Sequence, residues 1–298
     1  MNNIKNQFSI SDFENLSGIK AHTIRMWEKR YNLFNPIRHG NNERLYDLDD
    51  LRKILNIGFL QQNGLKISKI VALGNLEIPR KVNEIITEKG KFHEAINQFK
   101  ISMFSFDQEL FNSTYQKLIS QLSFREIFHE IFIPFLELIG LLWQSGTIVP
   151  AHEHFISQLI ENKLHLNIEK VQGHPKRKDR TFVLFLPQNE MHNLGILFVQ
   201  YEILLKGFHC LYLGSNIPVD DLKILQKIYN PIVFISQFTV APAVEEIENF
   251  INKIQTEILR KNEDEFWIIG KKSQEVLKLH ITQSLSTFKN VGELVKKV

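Results

Sequence analysis

The chain has 298 residues and a mass of 35.0 kDa, with 43% hydrophobic and 23% charged residues and a net charge of +3. That length exceeds one ordinary domain, the hydrophobic share excludes wholesale disorder, and no apolar run reaches the roughly 18 residues of a membrane span. A single cysteine, Cys210, excludes an internal disulfide and a multi-thiolate metal site.

The first residues, MNNIKNQFSISDFE, are polar and lack the apolar core of a secretion signal, so a cytoplasmic protein with no membrane partner is expected. Charge is unevenly spread. Residues 1–75 hold 11 Lys and Arg against 7 Asp and Glu, a net +4, and the remainder sums to −1. A basic first quarter on a neutral body points to an appended module for a polyanion. Ser9 or Ser11 can cap a first helix whose Asp12 and Glu14 suit its positive end, and Gly18 ends it. A second helix is expected at Ala21–Tyr31. Two short helices around a Gly-containing turn form the helix-turn-helix pattern. Pro36, the turn HGNN at 39–42 and the extended ERLY read as a small hairpin, or wing. Leu48–Leu60 and Ile67–Leu73 return to helical spacing.

From Pro79 to Glu169 apolar residues recur at three and four, so four or five helices should form a bundle, with Pro134 kinking or splitting the longest. GHPKRKDR (173–180) reads as a linker. The period then changes. TFVLFLP (181–187), HCLYLG, PIVFISQF and FWIIG read as strands, separated by helices at LGILFVQYEILLKG, VDDLKILQKIY and about Val244–Arg260. Strand–helix alternation with short connections implies a doubly wound parallel sheet, whose ligands sit outside the carboxyl ends of the strands. The fold class is therefore mixed α and α/β. An N-terminal winged helix-turn-helix (1–75) precedes a helical bundle (76–172), a linker (173–180) and a Rossmann-like sheet (181–298).

Three groups of residues carry chemistry. On the second helix, Thr23, Arg25, Lys29 and Arg30 accompany Trp27 and Tyr31, and the spacing of Arg25 and Lys29 lets both enter one groove. Arg38 and Arg44 lie in the wing, where they would contact phosphates, each steepening the log–log salt dependence by about 0.9. Trp143-x9-Glu153-His154 sets a flat apolar ring near two polar groups across a helix–helix junction. His152 and His154 diverge around a helix and lack a nearby Cys, which argues against a metal pair. Glu190-x-His192-x-x-Gly195 occupies the loop after the first parallel strand. There an imidazole could leave the sheet edge and ligate a metal centre, with Glu190 bonding its other nitrogen. Gly195 would admit a bulky group at the start of the next helix. No G-x-G-x-x-G, phosphate loop or G-x-S-x-G is present, and Cys210 falls within a strand, so no enzyme activity is expected.

HTIRMWEKRYNLFNPIR and ERLYDLDDLRKI resemble the winged helix-turn-helix of the MerR family of transcriptional regulators. The resemblance implies a two-fold or repeated double-stranded DNA operator, homodimeric or tetrameric assembly, and Tyr46 of the R-x-Y among the DNA contacts. The two downstream motifs, in this order, resemble the cobalamin (vitamin B12)-binding regulators whose light-responsive members repress carotenoid-synthesis genes. That resemblance implies His192 as the ligand to cobalt, Trp143 over the adenosyl face with Glu153 and His154, and adenosylcobalamin held between bundle and Rossmann-like module. It matches Glu190, His192 and Gly195 to the family's D/E-x-H-x-x-G, and implies nucleotide-tail contacts at Gly270 and at Ser236, where Ser236-Gln237-Phe238 meets the family's S-x-L/T only in part. Two positions depart from it. Gln144 stands where light-sensing members carry His, and Lys271 where they carry a second Gly. The expectation is a sequence-specific DNA-binding regulator controlled by cobalamin. The alternative is a MerR-like regulator whose sensor no longer binds cobalamin and acts through protein contacts or another small ligand.

Overall fold

The computed structural model describes residues 7–39, 43–85, 88–173, 176–277 and 284–298. The chain divides into two compact units, residues 1–159 and 160–298.

In the first unit, β1 (Phe8–Ser9) leads into α1 (Ile10–Ser17), whose N-terminus is closed by a capping box between Ser9 and Asp12 and whose end is a left-handed Gly18. α2 (Ala21–Tyr31) follows after a tight turn. Its N-cap, Lys20, supplies no side-chain bond. Instead Glu14 reaches across the turn, accepting from the Ala21 amide at 3.0 Å and from Lys20 Nζ at 2.9 Å. One carboxylate thus satisfies an orphan amide and fixes the α1–α2 angle. β2 (Ile37–His39) and β3 (Glu43–Tyr46) form the wing, in an antiparallel sheet of order β1-β3-β2. The tip of the expected turn, residues 40–42, lies outside the described residues. α3 (Leu48–Gln62), capped by Asp47, and α4 (Ile67–Leu73) complete the head.

The bundle helices are α5 (Glu77–Ile85), α6 (Glu88–Ser105), α7 (Gln108–Ile119), α8 (Phe124–Ile127), α9 (Ile133–Gln144) and α10 (Pro150–Val171). Between α8 and α9, residues Phe128–Phe132 adopt a π turn immediately before Pro134. Widening the helix there carries it past the residue that lacks an amide, so the segment bends through a π bulge without breaking. Its core is aromatic: Phe99, Phe111, Phe132 and Phe135 pack with ring centroids 4.9–6.3 Å apart. Head and bundle meet inside this unit. Phe8 sets its edge on Phe104 at 5.0 Å, Asn15 Nδ2 donates to Thr147 Oγ1 at 3.0 Å, and buried Lys100 donates to the Leu16 carbonyl at 3.0 Å.

The second unit is a five-stranded parallel sheet of order β5-β4-β6-β7-β8. Its strands are β4 (Arg177–Phe185), β5 (Phe208–Tyr212), β6 (Ile232–Gln237), β7 (Glu265–Ile269) and β8 (Leu285–Phe288). β4 begins at Arg177 and so takes in residues read from the sequence as linker; 174 and 175 lie outside the described residues. Alternate β4 residues face opposite layers. Val183 and Phe185 pack with Leu222, Ile247, Ile251 and Ile254, while Phe182 and Leu184 pack with Ile196, Val199, Ile203 and Leu294. Burial on both faces is why these strands read as continuous apolar runs.

α11 (Leu194–Leu205) follows β4 as expected. The next connection differs: Val219–Lys227 is a 3-10 helix and not an α-helix. Its buried residues, Val219, Leu222 and Leu225, repeat every three positions, which is the 3-10 period. The expected helix at 244–260 is a 3-10 turn (Val244–Glu246), α12 (Ile247–Lys253) and a π turn (Ile254–Ile258). α13 (Ser273–Val276) and α14 (Val291–Lys297) finish the unit. Cys210 lies in β5 against the Phe182 cluster, and burial pushes its thiol pKa up, so it is a packing residue and not a thiolate. No described helix is long and apolar enough to cross a membrane.

Candidate functional site

On α2, buried Ile24 and Trp27 hold the helix against the head, and the opposite face presents Arg25, Lys29 and Arg30 to solvent, with Thr23 half-buried. Arg30 lies over the Tyr31 ring at 5.3 Å. Arg38 is exposed on β2. These residues form the cationic face expected of a DNA-reading head. The other two wing residues have structural partners. Arg44 Nε donates to Glu28 Oε2 at 3.0 Å and is half-buried.

Tyr46 is a correction. It is fully buried, stacked on Phe13 at 4.2 Å, with its hydroxyl donating to Glu28 Oε1, and burial beside that carboxylate pushes its pKa well above the ordinary tyrosine value. It therefore ties the wing to α2 from inside and touches no groove. Tyr46→Phe keeps the ring stack and removes one hydrogen bond to a charged group. The expected loss is about 1.5–2 kcal/mol of head stability in thermal melts, with the α2 contact residues untouched.

The sheet's ligand site should lie where the chain reverses direction across it, between β4 and β6. The loops leaving those two strands meet at one side chain. Glu190 is fully buried and accepts six hydrogen bonds. Oε1 takes the Met191 and His192 amides, both at 3.0 Å, and His192 Nδ1 at 2.6 Å. Oε2 takes the amides of Thr239, Val240 and Ala241 at 2.8, 2.7 and 3.1 Å. Burial alone would raise this carboxyl. The His192 bond and the ring of amides outweigh it and hold the pKa down at about 2.

Glu190 engages His192 at Nδ1, which fixes the direction of the ring, and the His192 side chain is 54% exposed. Histidines that ligate metals commonly have their other ring nitrogen held by a carboxylate in this way. Around it stand exposed apolar side chains, Met191 at 75% and Val240 at 59%, suited to the flat, largely apolar face of a corrin ring. The loop is tied down further by Asn193 Nδ2, which donates to Glu161 Oε1 at 2.6 Å. The chemistry of this set, a carboxylate-oriented imidazole beside exposed apolar side chains, is compatible with a corrinoid.

The remaining motif residues divide into two sets. In the first unit, Trp143 is 49% exposed near the end of α9, and Leu141 and Val149 are exposed too. Gln144 is exposed beside it. Glu153 accepts from Ser157 Oγ at 3.1 Å and lies 3.2 Å from His154 Nδ1. His152 is buried, stacked on Phe106 at 5.0 Å, while His154 is exposed, so the two histidines diverge.

In the second unit, Ser236 offers no surface. It is fully buried and its hydroxyl donates to the Phe185 carbonyl at 3.0 Å, tying β6 to β4, which corrects its reading as a ligand contact. Gly270 has a φ of +111°, and a Cβ there would fall 2.4 Å from the Phe238 carbonyl oxygen. Glycine is needed at that position for backbone to pass backbone. The group lying against Gly195 is the Gln237 amide, 2.4 Å from where a Cβ would be. Gln237 Nε2 is itself held by the His192 carbonyl at 2.8 Å and Thr239 Oγ1 at 3.1 Å. Lys271 is exposed.

The strand-end rule points to the 187–195, 213–217, 236–243 and 270–273 loops, and Gln237, the 239–241 amides and Lys272, whose ammonium donates to the carbonyls of Val240 and Pro242, lie in two of them. The sequence did not give their roles, because the partners are backbone amides and carbonyls, which carry no residue signature.

Residues 8–74 match the MerR HTH family regulatory protein model, and residues 95–166 match the B12 binding domain. Two curated proteins of Myxococcus xanthus align over most of the chain. The HTH-type transcriptional repressor CarH is 25% identical over 256 residues, covering 82% of this chain and 83% of its own. The HTH-type transcriptional repressor CarA is 23% identical over 238 residues, covering 79% and 78%. Among solved structures, the monomethylamine corrinoid protein of Methanosarcina barkeri shares the fold, with a TM-score of 0.57 at 11% identity over 68% of this chain and 96% of that one.

Proposed function

We propose that this chain, a MerR-type DNA-binding regulator with a B12-binding domain and homologous to the CarH and CarA repressors, controls transcription through a bound cobalamin, adenosylcobalamin in particular. The observation that carries the reading is the Glu190–His192 pair. Cobalamin, when bound, supplies a cobalt that accepts an imidazole nitrogen. His192 is the residue assigned to that bond, and Glu190 fixes its tautomer and direction through Nδ1. On the bundle, half-exposed Trp143 with Glu153 and His154 forms the second set of residues assigned to the ligand. Arg25, Lys29, Arg30 and Arg38 are assigned to an operator on double-stranded DNA, and the protein works where the DNA is, in the cytoplasm.

Regulation follows by linkage. A ligand shifts an equilibrium between assembly states only by its differential affinity for them. Homodimers or tetramers that space two heads along DNA are the states proposed.

A second reading, a regulator whose sensor takes another ligand, draws on Gln237, whose amide fills the space against Gly195. Incubation with adenosylcobalamin in darkness, desalting and an absorbance spectrum separate the two. Wild type is expected to retain the corrinoid with imidazole ligation, and His192→Ala to weaken retention at least 10-fold. A wild type that emerges colourless defeats the cobalamin reading. Equal retention by His192→Ala defeats the ligand assignment.

A further inference from the structure

α2 has 11 residues, and its two sides differ sharply in chemistry. Ile24 and Trp27 are buried against the head. Opposite them, His22, Arg25, Met26 and Lys29 are all exposed. Their spacing of i, i+3, i+4 and i+7 sets them in one stripe along the helix. Three of the four are cationic or can become so. The fourth, Met26, is 51% exposed and has an apolar side chain at the centre of the stripe.

A helix seated in the major groove puts the centre of its outward stripe on the base edges and its flanks near the phosphates. Arg25 and Lys29 can reach phosphates or guanine acceptors. A thioether can do neither. Of the groups that the four base pairs expose in the major groove, one is apolar, the C5 methyl of thymine. Methionine is unbranched and flexible, so it can follow that methyl with little strain. We infer that Met26 reads a thymine in the operator through its 5-methyl group. This rests on the regulator reading above and adds to it a named base and a named side chain. Charge complementarity selects DNA as the occupant of this stripe, because the residues around Met26 are basic.

The test uses the full-length protein and a random duplex pool, selected without corrinoid and with adenosylcobalamin in darkness. Each thymine of the enriched site is then replaced in turn by deoxyuridine, which removes the methyl and leaves base pairing intact. For wild type, one such replacement per half-site is expected to weaken binding about four-fold, the value of one buried methyl-sized group. Met26→Ala, a substitution favourable in an exposed helix, should bind the thymine and deoxyuridine duplexes equally, and Met26→Leu should restore the difference. Four findings would each overturn the inference: a site with no thymine under α2, no effect of deoxyuridine on wild type, the same effect in Met26→Ala, or a Met26→Ala change confined to oligomeric state. A pool that yields no enriched site overturns the regulator reading and the inference with it, which separates the two failures.

Discussion

Replacing Glu190 with glutamine is expected to destabilise the second unit by about 3–5 kcal/mol and to lower cobalamin affinity by about 10–100-fold. The two side chains are nearly the same size, so the effect comes from hydrogen-bond polarity and the lost charge and not from packing. Both carboxylate oxygens are acceptors, and each faces three donors. Glutamine keeps one accepting oxygen and sets two amide hydrogens where the other was. With the amide nitrogen toward 239–241, three backbone donors lose their partner and meet another donor. Flipped, the nitrogen confronts the Met191 and His192 amides and the His192 ring. Each buried donor left unsatisfied costs about 1–3 kcal/mol. Lys272 and Gln237 hold the same loops and should limit the loss to the upper part of one such penalty plus the charge.

Glu190→Asp keeps the charge but is one methylene short of spanning both loops, so an intermediate loss is expected. Thermal melts and corrinoid titrations of the three proteins check this. If Glu190→Gln melts with wild type and binds as well, the six-bond geometry does not exist in solution.

How much was legible beforehand varies with where the determining atoms lie. α2 was legible to the residue because its signals are local: a Gly-ended first helix, period-3.6 apolar residues and a stop at Asn32, which takes the left-handed conformation. The Glu190–His192 pair was legible because both partners are side chains two residues apart. The other half of that site was not, since Thr239, Val240 and Ala241 contribute only amides, and any sequence supplies amides. Tyr46 was misread because its role depends on Glu28, far away in sequence and delivered by packing. Ser236 was misread for the same reason, its partner being a backbone carbonyl on the neighbouring strand. β8 and α14 were not anticipated at all: LSTF is a half-polar edge strand, and VGELVKK is only seven residues long.

The second large effect concerns Lys100, which is buried on α6 and donates to the Leu16 carbonyl at 3.0 Å and to Asn97 Oδ1 at 3.3 Å. Leu16 is in the last turn of α1, where carbonyls lack helical partners and the dipole is negative, so an ammonium is the natural cap. Burial nevertheless pushes its pKa down, from 10.5 to about 8. The sign follows directly. Between about pH 8 and 10.5 the unfolded chain holds a proton that the folded chain has released, so stability rises with pH across that window. Over 2.5 units the rise amounts to about 3 kcal/mol, and at neutral pH the same amount is a standing penalty. Lys100→Met, similar in length and uncharged, should therefore flatten the rise, which melts of both proteins from pH 7.5 to 10.5 would show. A wild type whose stability runs parallel to the variant's would mean that the ammonium is solvated. Hydrophobic replacements of buried ions are often neutral or stabilising, so a retained lysine needs a use other than stability. The one consistent with its place is register: it fixes the DNA-reading α1–α2 pair onto the bundle that also carries Trp143. Under the proposed control by cobalamin, Lys100→Met is expected to keep cobalamin retention unchanged while reducing any corrinoid-dependent change in DNA affinity by about 5–10-fold, within the usual 1–3 kcal/mol of coupling between two sites. A change that persists in full in Lys100→Met would mean that Lys100 is only a cap.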